Sequence, residues 1–190
     1  MSALQTATSE WSWHRLGRDR TTWWAGPAAL ALAVATFVHL GEDGNAALCA
    51  LAQVVLVVLA GIDLATRRLP NVITVPTATA AIVLRALFER SHLGEILLSC
   101  AIAFLAFFAV SVVLRGGLGM GDVKLAGMLG AILGWPAFDA LAIGIVVGGV
   151  VSLALVAFSR AGLQTAFAYG PCLALGGAVA ILAIHHPPLV

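Results

Sequence analysis

The sequence predicts an all-α protein, a polytopic helical bundle in a membrane with about seven transmembrane segments. Three observations carry that class. Hydrophobic residues make up 61% of the 190-residue chain, charged residues only 10%, and mean hydropathy is +1.03. The charges collect in short gaps between long apolar runs, whereas a soluble domain spreads them over its surface. Most of those runs approach the ~20 residues that a helix needs to cross a bilayer core.

The runs cover residues 23–40, 46–62, 72–88, 96–114, 123–134, 138–158 and 165–184. Ahead of them, residues 1–22 are polar, and the first run leads into GEDGN without a small-residue cleavage site. A secretory signal peptide is therefore not expected, and the stretch reads as a retained cytoplasmic tail before a membrane-embedded domain at 23–186. The second run ends at GIDLATRRLPN, the third at ERSHLGE and the fourth at RGGLGMGD. The fifth is short and stops at Gly134-Trp135-Pro136, where glycine and proline end a helix. It could be a short span, a half-helix or the first leg of a bent one; counted together with the sixth, it leaves six spans. Alanine and glycine are abundant throughout, which suits close helix packing in lipid, and the short loops leave no room for a second domain.

A net charge of +1 gives no reason to expect a nucleic-acid partner. The distribution of charge is more informative. With seven spans and a cytoplasmic N-terminus, the cytoplasmic side holds Arg15, Arg18, Arg20, Arg67, Arg68, Arg115, Lys124 and Arg160, while the outer side holds Arg85 and Arg90. Eight against two obeys the positive-inside rule, and merging the fifth and sixth runs would weaken it. The three cysteines, Cys49, Cys100 and Cys172, lie far apart in apolar runs and form no CxxC pair. They read as packing residues, not as a zinc site or a disulfide framework. His39, His92, His185 and His186 fall near the outer side and His14 in the tail, so no metal and no cofactor is expected at the cytoplasmic border.

The same topology sorts the acids. Glu42, Asp43, Glu89, Glu95 and Asp139 go to the outer side, and Glu10 and Asp19 to the tail. Asp63 and Asp122 remain, at similar depth on the cytoplasmic membrane border. Each has a structural alternative. Asp63 could pair with Arg67 or mark a helix end, and Asp122 could N-cap the fifth helix. As a pair they suggest chemistry, because carboxylates beside hydrocarbon are costly and tend to be functional. Two facing carboxylates share one proton: the ionised one can activate a water, and the protonated one can donate to a peptide carbonyl. Gly119 and Gly121 would let a substrate strand approach closely, or would simply make a flexible turn. The rival from another class is a small transporter or channel subunit with Asp63 and Asp122 as ion or proton sites. Its weakness is that both acids sit at one border and not at mid-membrane.

Three pieces then occur in order: GIDLATRRLPN around Asp63, GMGDVKLAGMLGAILGW around Asp122, and AYGPCLALGG at 168–177. With them the chain resembles the type IV prepilin peptidases, membrane aspartic proteases of the GxGD type. The resemblance implies removal of a short basic leader from a prepilin or pseudopilin precursor, at the cytoplasmic face of the bacterial inner membrane. It implies Asp63 and Asp122 as the catalytic pair. Gly119, Gly121 and Lys124 would shape and support their loop, Arg67, Arg68, Pro70 and Asn71 would form a basic substrate loop, and Gly170 and Pro171 would break the last helix near the site. The cytoplasmic domain with paired cysteines that longer members carry is not found here. The chain looks like the short, peptidase-only form associated with tight-adherence pili, for which N-methyltransferase activity is not expected. Beyond the prepilin and the lipid bilayer no partner is implied, and the oligomeric state is left open.

Overall fold

The fold is seen in a computed structural model that describes residues 25–40, 44–88, 90–114, 118–158 and 169–183. The tail at 1–22, Arg115, Arg160 and the His185-His186 pair lie outside the described residues. Among those described there are seven α-helices and no strand: α1 (Ala25–Leu40), α2 (Gly44–Thr66), α3 (Asn71–Phe88), α4 (Leu93–Val113), α5 (Met120–Leu133), α6 (Ala137–Phe158) and α7 (Gly170–Ala183), with a 3₁₀ turn at Arg90–His92 before α4. Each apolar run of the sequence has become one helix. The fifth and sixth are separate, broken at Gly134, whose φ of 65° admits a residue without a Cβ far more easily than any other.

Three helical segments, in α2, in α4 with the 3₁₀ turn before it, and in α6, are long and apolar enough to cross a membrane: Ala46–Thr66, Arg90–Val113 and Ala137–Leu155. The chain is thus a helical membrane protein. Its outward faces are greasy, with Val113, Leu153 and Phe158 largely exposed, as expected where the surrounding medium is lipid. Hydroxyls inside the helices are satisfied locally. Thr36, Thr66, Thr74, Thr77 and Thr79 each donate to the carbonyl four residues back.

α5 is the axis of the bundle. From Asp122 to Leu133 every residue but Lys124 is buried. Its neighbours come close because small residues face one another. A Cβ on Gly130 would stand 2.7 Å from the Cα of Cys100 on α4, and Ser99 Oγ donates across the same contact to the Gly130 carbonyl at 3.0 Å. α6 and α7 meet in the same way, with Gly176 lying directly against the Ala140 carbonyl and Gly144. α7 leans in turn on α2. The C-terminal end of α2 and the N-terminal ends of α3, α5 and α7 are thereby gathered at one end of the bundle.

Candidate active site

Asp63 lies in the last turn of α2, and Asp122 in the first turn of α5. Side by side they line a cavity of about 390 Å³ with Arg67, Arg68, Leu69, Asn71, Gly119, Met120, Gly121 and Lys124. Both carboxylates are nearly withdrawn from the surface, at 5% and 9% exposure, and the charge on Asp63 acts on Asp122. The cavity brings together eight of the eleven site residues the sequence singled out.

The turn after α2 is built to aim this end of the bundle. The Arg67 N–H donates to the Asp63 carbonyl at 2.7 Å, closing the helix, and the chain then turns through Arg67 itself at φ 52°. Left-handed backbone at a bulky residue costs energy and persists only where its surroundings enforce it. Thr66 Oγ1 bridges the turn, donating to the carbonyls of Ile62 and Arg68. Pro70 does not line the cavity. Its carbonyl opens α3, accepting from the N–H groups of Ile73 and Thr74 and from Thr74 Oγ1. Lys124 Nζ then donates to Asn71 Oδ1 at 2.8 Å, joining α5 to the start of α3 across the mouth.

The Arg67 ion pair for Asp63 and the N-cap for Asp122 are not formed, although each aspartate does stand at a helix end. Within ion-pair distance Asp63 has no cation among the described residues; instead its Oδ2 accepts the backbone N–H of Gly170 on α7 at 3.0 Å. Asp122 is not the N-cap of α5. That position belongs to Gly119, and Asp122 is the third helical residue, its carboxylate lying back against Gly119. An acid in that turn is favoured by the helix dipole. Gly170 and Pro171 open α7. Proline in a first turn sacrifices no hydrogen bond, and residues 165–168 lie outside the described residues.

Three glycines owe their place to space. A Cβ at Gly170 would fall 2.7 Å from Asp63 Oδ2, one at Gly119 3.2 Å from Asp122 Oδ2, and one at Gly121 2.9 Å from the Leu69 Cβ. Any side chain at the first two would press on a carboxylate. Leu69 and Met120 also line the cavity, though the sequence did not single them out. The signal available for both was adjacency to the motifs.

The fold and the cavity define a class: a helical membrane protein with two buried aspartates on one glycine-lined pocket. A model of the type IV leader peptidase family matches residues 50–153, more than half of the sequence, and the chain belongs to that family. The matched stretch holds both aspartates and all the cavity-lining residues. Among curated proteins, the prepilin leader peptidase/N-methyltransferase of Aeromonas hydrophila is 32% identical over 161 residues, covering 82% of this chain and 55% of the relative. The proteins of that name from Burkholderia pseudomallei (strain K96243) and Dickeya chrysanthemi are 31% and 33% identical, over 81% and 67% of this chain and 52% and 47% of theirs. The chain spans about half the length of the curated relatives it matches. No solved structure was found to match it.

Proposed function

We propose that this protein is an aspartic endopeptidase of the bacterial inner membrane. It removes the short basic leader from prepilin-like precursors, with Asp63 and Asp122 as the catalytic pair. The observation that carries the proposal is the meeting of two buried carboxylates, 59 residues apart in sequence, on one open cavity of a chain in the leader peptidase family.

The chemistry follows from the pair. Burial and proximity disfavour double ionisation, so the dyad holds one proton. The ionised carboxylate takes a proton from a water as its oxygen attacks the scissile carbonyl carbon, and the protonated carboxylate donates to the carbonyl oxygen. When the tetrahedral intermediate collapses, the C–N bond breaks and the amine leaves with a proton from the dyad. The N–H of Gly170 holds the Asp63 carboxylate in place, Gly119 lies close against that of Asp122, and the bare glycine backbone leaves room for the substrate strand.

Orientation in the membrane is part of the same proposal. The cavity end carries Arg67, Arg68 and Lys124 and is assigned to the cytoplasm, in keeping with the eight-to-two distribution of basic residues over seven spans. A reporter fused after residue 68 should read as cytoplasmic. Leader cleavage is proposed without the methyl transfer named in the relatives, so the N-terminal amine of the mature pilin should be unmodified. A terminus one methyl heavier, seen only when this protein is present, would refute that part.

The test is co-expression of the full chain with small pilin-like precursors, followed by the mass of the product. Loss of the leader that depends on this protein is the expected result. Precursors left intact by a chain that reaches the membrane would overturn the proposal.

A further inference from the structure

The most polar side chain in the interior of α2, apart from Asp63, is Gln53, in the apolar stretch ALAQVVL. It is fully buried. Its Nε2 donates to the carbonyl of Ala178 on α7 at 3.1 Å, and its Oε1 has no partner among the described residues. A buried amide with half its hydrogen bonding unmet is a cost to the fold, and an apolar residue of the same size would avoid it. Such a residue calls for a reason beyond packing.

The reason lies in the two helices it joins. Ten residues beyond Gln53, about 15 Å along α2, stands Asp63. Eight residues before Ala178, about 12 Å back along α7, stands Gly170, whose N–H is the hydrogen-bond donor to Asp63. α2 and α7 are therefore tied by polar bonds at two heights. Between the ties the packing is close but apolar: a Cβ on Gly177 would sit 2.9 Å from Leu56 Cδ1 on α2. Apolar contacts in lipid resist separation but allow a helix to slide or rotate, since the surrounding chains offer similar contacts. A directional bond to one carbonyl removes that freedom.

We propose that Gln53 is a positioning residue: it locks the register of α7 on α2 so that the Gly170 N–H stays on the Asp63 carboxylate. Its link to catalysis rests on the peptidase reading of Asp63, whereas the helix lock itself does not. The test compares the full-length protein in detergent with its Gln53→Met and Gln53→Glu variants. Methionine keeps the length and lacks the donor. Glutamic acid, neutral in an apolar interior, can donate its O–H to Ala178.

Hydrogen exchange read on the segment 169–173 should rise several-fold in Gln53→Met, with the other helices unchanged, and should fall back toward the parent rate in Gln53→Glu. Leader cleavage should follow, with kcat down about tenfold in Gln53→Met at unchanged KM, because misplacement of a reacting group acts on the chemical step. Should Gln53→Met fail to accumulate, Gln53→Asn replaces it: an amide drawn back by one methylene cannot reach Ala178, and exchange must rise in the same way. Parent-like exchange in the methionine or asparagine variant would overturn the proposal. So would a rise spread evenly over all helices, or a folded Gln53→Glu variant that behaves like Gln53→Met. A normal response of exchange in a chain that cleaves no leader would keep the lock and refute the peptidase reading.

Discussion

The two ends of α5 meet opposite charges and use them in opposite ways. At the N-terminal end Asp122 stands in the first turn, beside a cavity of about 390 Å³ walled by glycine backbone. At the C-terminal end Arg85, at the end of α3, is 2% exposed and donates from Nη2 to the carbonyl of Ile132. A small cavity of about 110 Å³, bordered by Glu95 and Trp135, adjoins it. Each charge suits the helix dipole at its own end. The difference is what the side chain is left to do. The arginine spends a donor on a backbone acceptor that the helix end leaves over, so it serves the fold. The aspartate faces a cavity together with a second carboxylate, so it is available for chemistry. In a membrane chain, a buried charge points to function when it shares an open cavity with a second charge of the same sign, and to architecture when a backbone acceptor left over at a helix end takes it up.

That contrast can be broken most severely at the Asp63 contact. Gly170→Ala would place a methyl group 2.7 Å from Asp63 Oδ2 and 3.0 Å from its Cγ. The backbone at Gly170 is helical, so alanine itself is tolerated and the effect acts through the carboxylate. Cleavage is expected to fall by on the order of 100-fold, the loss that a displacement of about 1 Å can cause. Gly121→Ala should cost less, about tenfold on the same reasoning, because its Cβ meets Leu69 and not a carboxylate. Adding Leu69→Gly, which removes the Leu69 Cβ that the new methyl group would meet at 2.9 Å, should restore much of that loss; no restoration would mean that the glycine acts in some other way.

At the opposite end the expected effect changes in kind. Arg85→Met should lower stability by about 1–3 kcal/mol through the unmet Ile132 carbonyl, while cleavage per folded molecule stays near normal. A thermal melt in detergent alongside a cleavage assay separates the two. A specific loss of kcat in folded Arg85→Met would erase the distinction between the ends. Smallest of all should be Lys124→Met. It removes an exposed hydrogen bond to Asn71 and should change cleavage only a few-fold, with no loss of membrane-inserted protein.

The existence of the helices was legible in the sequence because apolar length is a direct readout of burial in lipid. Their ends were less so. α2 continues to Thr66, past the expected end at 62, and α5 starts at Met120 instead of 123. Both shifts carry an aspartate into helix that the runs had left outside. Hydropathy stops at the first charge, whereas a helix stops where its hydrogen bonds run out. The pairing of Asp63 with Asp122 was visible from topology, since the positive-inside rule sorts residues by depth. What holds them was not. The Gly170 bond to Asp63 spans 107 positions, the Ser99 bond to Gly130 spans 31 and the Arg85 bond to Ile132 spans 47. Arg85 in particular read as a charge of the outer side, because a lone arginine near the end of an apolar run has the same sequence signature whether it meets water or a buried carbonyl. Gln53 left no signal either, since one amide in a long run barely alters its hydropathy.

The most direct test of the proposed dyad is leader cleavage by Asp63→Asn and Asp122→Asn, each made separately in the full chain and assayed at matched membrane levels. Asparagine preserves size but cannot hold or pass the proton, so both variants should lose cleavage, whereas Asp139→Asn, in the first turn of α6, should retain it. Near-normal processing by either Asp63→Asn or Asp122→Asn would contradict the two-carboxylate mechanism.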